Sequence, residues 1–179
     1  MFEIKNSVLI VIDVQGKLAY LMHEKDKLFK NIQGLIRAMQ YLNIPILYTE
    51  QVPEKIGSTV PEIHHLLSQQ KPIVKTSFSC CQEEKFIKSL QALKRKQIIV
   101  CGIETHVCVY QTVSDLLDLK YPVQVVHNAV SSRSQENKEI ALKRIESIGA
   151  APTSTEMILT ELLRTSKHPK FRDVLSLIR

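Results

Sequence analysis

The segment Ser7-Val8-Leu9-Ile10-Val11-Ile12-Asp13 constrains the fold more than any other. Its apolar residues run consecutively rather than alternately, the pattern of a strand buried on both faces. Such a strand needs a covering layer on each side, and the rest of the chain supplies them. Residues 27–42 carry Leu28, Ile32, Leu35, Ile36, Met39 and Leu42 at helical spacing. Residues 44–49 predict a second strand, with Pro45 near its start, where a missing N–H matters least. Residues 51–58 read as a loop, 61–68 as a short helix and 72–75 as a third strand. A helix over 83–93 sets Phe86, Ile87, Leu90 and Leu93 on one face, and a fourth strand over 97–101 ends at Gly102. A helix over 105–119, a fifth strand over 121–127, a helix over 135–147 and a brief sixth strand over 150–152 follow. Helical segments over 155–165 and 171–178 close the chain. This alternation implies a three-layer α/β/α domain around a mostly parallel six-stranded sheet.

Composition narrows the class. A chain of 179 residues with 44% hydrophobic and 23% charged residues fits one globular domain over 1–179. Four cysteines are too few for a disulfide scaffold. No apolar stretch approaches the roughly 18–20 residues of a membrane span. The first residues, Met1-Phe2-Glu3-Ile4-Lys5, lack the basic-then-apolar order of a signal peptide. A cytoplasmic location with reduced thiols is the expectation, with no membrane partner. The net charge of +6 is spread along the chain. Its two local clusters, Lys94-Arg95-Lys96 and residues 167–172, read as solvated surface. No zinc finger, basic zipper or RNA-binding aromatic signature accompanies them, so no nucleic-acid partner is expected. The few glycines form neither a dinucleotide fingerprint nor a phosphate-binding loop.

In a parallel sheet, ligands bind beyond the carboxyl ends of the strands. The residues there are Asp13, Thr49-Glu50-Gln51, Lys75-Thr76-Ser77, residues 102–108 and Asn128. A carboxylate closing so apolar a strand loses solvation unless a cation or hydrogen bonds compensate, and Lys75 closes another strand. Cys108 stands near the start of the helix that follows strand four, where backbone N–H groups and the helix dipole favour a thiolate and can hold an oxyanion. Together the three supply a nucleophile, a base for its proton and a cation to keep that base ionised.

Three segments carry a family resemblance: Leu9-Ile10-Val11-Ile12-Asp13-Val14-Gln15, Val74-Lys75-Thr76-Ser77-Phe78-Ser79, and Val100-Cys101-Gly102-Ile103-Glu104-Thr105-His106-Val107-Cys108-Val109. In order and spacing the chain resembles the isochorismatase-like cysteine hydrolases, a superfamily that includes nicotinamidases. The resemblance implies a Rossmann-like fold and a catalytic triad of Asp13 as base, Lys75 as charge partner and Cys108 as nucleophile. It implies a cis peptide between Ile103 and Glu104, with the N–H groups of Glu104 and Cys108 as the oxyanion hole. The implied reaction is cofactor-free hydrolysis of a small amide-like substrate through a Cys108 thioester, in a homo-oligomer.

Where nicotinamidases place an Asp-x-His segment and further histidines for a metal, this chain reads Tyr48-Thr49-Glu50-Gln51-Val52-Pro53. His64 and His65 are adjacent on a helical segment and so point about 100° apart. No metal site is expected. The Thr-Glu-Gln-x-Pro segment instead resembles the isochorismatase domain-containing branch. Gln15, Tyr20 and Phe78 are candidate pocket residues. The vicinal Cys80-Cys81 pair lacks the spacing of a redox or zinc motif. Two rival functions remain on the same fold: a binding or scaffold protein with little turnover, and a redox-sensitive thiol protein.

Overall fold

The computed structural model describes residues 1–178. The strands are β1 (Ser7–Ile12), β2 (Ile46–Gln51), β3 (Ile73–Lys75), β4 (Gln97–Ile103), β5 (Val123–Ser131) and β6 (Ala151–Thr153). They form one sheet in the order β3-β2-β1-β4-β5-β6, and every pairing is parallel. The helices are α1 (Gly16–Tyr20), α2 (Lys25–Tyr41), α3 (Pro53–Ile56), α4 (Pro61–Leu67), α5 (Glu84–Ala92), α6 (Tyr110–Asp118), α7 (Gln135–Ser147), α8 (Thr155–Leu163) and α9 (Phe171–Leu175).

Strand β1 shows why the sheet has two cores. Leu9 and Val11 pack with α2, α4 and α8 on one face, through residues such as Ile32, Leu35, Ile63 and Ile158. Val8, Ile10 and Ile12 pack with α5, α6 and α7 on the other, through Phe86, Val113 and Ile145. Successive side chains of a strand point to opposite faces, so an unbroken apolar run serves both layers. The amphipathic helices α8 and α9 close against α2 of the same chain, burying Leu159, Leu162, Leu163 and Val174. Among the described residues, no helix is long and apolar enough to cross a membrane.

Four local outcomes differ from the sequence expectations. Strand β5 runs on to Ser131, past the polar His127 and Asn128 that break its apolar pattern. It bulges there: Val100 lies opposite Val125, but Gly102 lies opposite Val130. The segment read as a loop over 51–58 contains α3, opened by Pro53, whose missing N–H costs nothing at a first helical position. The five-residue α1 is too short to show a helical period in sequence. The expected helix over 105–119 begins instead with a wide turn, Thr105–Val109, in which Val109 N–H donates five residues back to Glu104 O at 3.2 Å.

Candidate active site

The chain runs outward from β1 to β2 and β3, then returns to lay β4 against the other side of β1. The crevice at this reversal, beyond the carboxyl ends of the strands, is where open α/β sheets bind ligands. Asp13 follows β1, Lys75 closes β3 and Cys108 lies in the wide turn after β4. All three are buried.

Lys75 Nζ stands 2.6 Å from Asp13 Oδ2 and 3.7 Å from Cys108 Sγ. It also donates to Ser77 O at 3.0 Å, Phe78 O at 3.0 Å and Gln51 Oε1 at 3.1 Å. Asp13 Oδ1 accepts from Thr49 Oγ1 at 2.7 Å. Its Oδ2 faces the ammonium and takes no further hydrogen bond among the described residues, so it keeps room for a proton. Asp13 itself sits at φ 50°, a left-handed conformation that Asp tolerates better than most residues. That turn lets the chain leave the sheet at once while the carboxylate stays in the crevice.

The charges explain the proton positions. Burial works against the charge of Lys75, but the carboxylate of Asp13 and the nearby Cys108 and Cys80 sulfurs outweigh it, leaving the lysine above its ordinary pKa. For Cys108, burial and then the Asp13 carboxylate push the thiol well above its ordinary range, and the opposing pull of Lys75 is smaller. Cys108 is therefore held as a thiol, and its Sγ donates to Gln51 Oε1 at 3.1 Å. Burial likewise raises Cys80 to about 11 and Cys81 to about 12. All four cysteines are free.

The Ile103–Glu104 peptide is cis. It turns the chain from β4 into the wide turn that carries Cys108. Gly102 makes the approach possible: a Cβ there would lie 2.1 Å from Ile12 O, at a φ of +120°. The Glu104 carboxylate accepts from Arg133 N and Nε, each at 3.1 Å. His106 Nδ1 meets Ser132 Oγ at 2.9 Å.

A cavity of about 110 Å³ opens over Cys108 and Asp13. Leu18, Ile56, Phe78 and Val107 give it apolar walls. Phe78 thus reaches the site. Gln15 borders the cavity, but its amide is committed to backbone: Nε2 donates to Gln51 O at 2.9 Å and Gly57 O at 2.6 Å, and Oε1 accepts from Gln51 N at 2.6 Å. Its side chain completes a ladder rung with Gln51 and pins the segment that carries α3. Tyr20 does not line the cavity; its hydroxyl donates to the Glu62 carboxylate at 2.9 Å and its ring meets Phe29 edge-on. Gln51 and Thr49 were named in the sequence only as strand-end residues. Their hydrogen bonds with Cys108 and Asp13 depend on side-chain direction at the end of β2, which residue order does not encode. Among the described residues, no group of three or more His, Cys, Asp or Glu side chains is placed to hold a metal ion.

A six-stranded parallel sheet between two helical layers, with an acid, a lysine and a cysteine gathered at its switch point, defines an open α/β fold with a polar crevice at the strand ends. The Isochorismatase domain profile matches residues 7–157, and the chain belongs to that family. It is 38% identical to isochorismatase domain-containing protein 2 of Danio rerio, over 97% of this chain and 87% of the relative. Among solved structures, that of MAR1 ribonuclease from Caenorhabditis elegans superposes with a TM-score of 0.92, at 39% identity, over 99% of this chain and 91% of that one. The Escherichia coli YcaC gene product, described as an octameric hydrolase of unknown specificity, shares the fold at a TM-score of 0.88 and 23% identity, over 98% and 94% of the two chains.

Proposed function

We propose that this chain hydrolyses a small amide-like C–N bond through a thioester on Cys108, without a cofactor. The observation that carries the reading is the meeting of Asp13, Lys75 and Cys108 from three strand ends, with one ammonium 2.6 Å from the acid and 3.7 Å from the sulfur. Because the resting sulfur is protonated, attack needs a base at the moment of bond formation. The thiol proton passes to Asp13 Oδ2 as Sγ bonds to the carbonyl carbon. The N–H groups of Glu104 and Cys108 hold the oxyanion. Collapse breaks the C–N bond, and Asp13 returns the proton to the leaving nitrogen. Water then attacks the thioester, giving one proton to Asp13. The C–S bond breaks, the proton returns to sulfur and a carboxylic acid leaves. Lys75 stays an ammonium throughout and keeps Asp13 ionised between the two half-reactions.

The cavity sets the substrate class. Drug-sized ligands fill roughly 300–1,000 Å³, and this site offers about 110 Å³ with no Lys or Arg on its lining. That favours a small uncharged amide with an apolar substituent over a nucleotide, so the ribonuclease name of the Caenorhabditis elegans neighbour does not suit this cavity. The test is a panel of small amides assayed with wild type and Cys108→Ala, with intact-mass analysis for an acyl adduct. Hydrolysis lost in the variant, with an adduct on wild type, is expected. Equal turnover by both proteins, or neither turnover nor adduct across the panel, overturns the reading.

We also infer a homo-oligomer in a reducing, cytoplasmic setting. The octameric description of the Escherichia coli protein supports the first, and Met157 and Ile140, both exposed, are apolar residues such contacts would cover. The unpaired cysteines agree with the second. Light scattering that finds a monomer at micromolar concentration refutes the assembly.

A further inference from the structure

A second cavity, of about 310 Å³, lies between the amino end of α2, the bulged half of β5 and α7. It is separate from the Cys108 cavity and shares none of its lining residues. Its polar wall comes from His23, Lys27, Asn31, His127, Ser131 and Lys138. The charge on this wall is not balanced. Glu24, the one carboxylate lining it, is paired with Lys27. His127 Nε2 faces Glu146 at 3.4 Å. Lys138 is half-buried, and its ammonium makes no hydrogen bond and no ion pair among the described residues. Glu24 and Glu139 attract it only from farther off, and Lys27 repels it. Burial holds it below the ordinary lysine value against the pull of Glu24 and Glu139, and the repulsion from Lys27 is the smallest contribution. An ammonium partly removed from water without a direct partner is relieved by an anion placed beside it.

The wall of this cavity is tied to the loop that carries Cys108. Ser131 Oγ donates to His23 O at 2.7 Å, and His23 N–H donates to Ser132 O at 2.9 Å. Ser132 Oγ meets His106 Nδ1 at 2.9 Å, two residues before Cys108. The next residue, Arg133, donates through its N and Nε to Glu104. Hydrogen bonds thus run from His23, on the cavity wall, through Ser132 to His106, and the adjacent Arg133 holds Glu104 at the start of the segment 104–108.

We propose that this cavity binds a small phosphate-bearing anion against Lys138, and that its occupancy acts on the 104–108 segment. A compact lysine ammonium suits phosphate as a point-charge partner. The volume is enough for a phosphorylated metabolite and exceeds what inorganic phosphate alone would fill. The coupling half of the proposal rests on the assignment of Cys108 as nucleophile; the binding half does not.

The experiment separates them. Inorganic phosphate and a phosphate monoester, glycerol 3-phosphate, are titrated by calorimetry into wild type, Lys138→Ala and, as a control at the opposite end of the sheet, Lys94→Ala. Binding at least tenfold weaker in Lys138→Ala, unchanged in Lys94→Ala, is expected, with the monoester tighter than free phosphate. No binding, or equal binding by all three proteins, overturns the site. The rate of Cys108 alkylation by iodoacetamide is then measured with and without saturating monoester, which needs no turnover. A change of at least twofold in wild type and none in Lys138→Ala is expected. Binding with no change in alkylation overturns the coupling. A chain that binds the anion and hydrolyses nothing loses the amidase reading and keeps this one.

Discussion

Replacing Lys75 by Met tests whether the charge pair organises the site. The lysine side chain is fully buried and that of Asp13 is 6% exposed, so solvent replaces nothing when the ammonium is removed. The carboxylate keeps only its Thr49 hydrogen bond. Breaking one partner out of a buried pair costs about 3–5 kcal/mol, because a charge is left without compensation. A natural domain has roughly 5–15 kcal/mol in hand, so the variant folds with a large part of its margin gone. Removing both charges is cheaper. In Asp13→Asn/Lys75→Met no buried ion remains, but the carbonyls of Ser77 and Phe78 still lose their donor. A lost donor to a buried group costs about 1–3 kcal/mol. Lys75→Met loses the same two bonds and in addition strands the Asp13 carboxylate, so the double variant is expected to be the more stable of the two, although it carries one more substitution. Urea unfolding followed by circular dichroism, with slopes compared to establish two-state behaviour, measures both. A Lys75→Met cost below about 1 kcal/mol means that the pair behaves as a surface contact. A double variant less stable than the single removes the uncompensated carboxylate as the cause.

Asp13→Asn is expected to move two properties of Cys108 in opposite directions. Burial leads in raising the thiol pKa, and the Asp13 carboxylate follows, so removing the carboxylate lowers that pKa and speeds alkylation at pH 8. The same change removes the proposed base, so turnover of any amide substrate falls by at least 10²-fold; alkylation and turnover falling together contradict the assignment. Gly102→Ala places a Cβ 2.1 Å from Ile12 O, a backbone atom of the central strand that cannot yield, and loss of soluble folded protein or a cost above about 3 kcal/mol is expected in thermal unfolding. Stability also falls above about pH 9. Cys80, Cys81, Cys101 and Cys108 all have folded pKa values raised by burial, so the unfolded chain loses these protons first. It then binds fewer protons than the native state, and each thiol removes stability at about 1.4 kcal/mol per pH unit between its unfolded and folded pKa. The raised pKa of Lys75 extends the loss past the ordinary lysine range. Urea midpoints that stay level from pH 8 to 10.5 refute this account.

What the residue order revealed, and what it hid, divides along a physical line. Burial on both faces forces consecutive apolar residues, so β1 and β4 announce themselves, and the end of each run marks Asp13 and the approach to Cys108. Lys75 was reachable the same way, although β3 has three residues, because the crevice draws its members from strand ends. The bulge in β5 was hidden because His127 and Asn128 are polar, and only pairing with β4 shows that the ladder resumes at Val130.

Gln51 shows the deeper limit. Its role depends on two things that no local pattern carries. One is Val52, a β-branched residue held at φ 40°, where such residues are rarely found and cost about 1–3 kcal/mol. The other is Gln15, thirty-six positions earlier, whose amide takes both backbone groups of Gln51. Together they turn the chain sharply after β2 and lock its last residue, leaving the Gln51 carboxamide beside Lys75 and Cys108. Gln15, a candidate pocket residue from the sequence, does border the cavity. Its effect on chemistry nonetheless passes through Gln51. If so, Gln15→Ala leaves Asp13, Lys75 and Cys108 untouched yet loosens the acceptor of the resting thiol. Its expected signature is a changed pH dependence of Cys108 alkylation, with Gln15→Glu restoring only the bond from Gln51 N–H. A Gln15→Ala profile that overlays wild type would mean that β2 alone holds Gln51 in place.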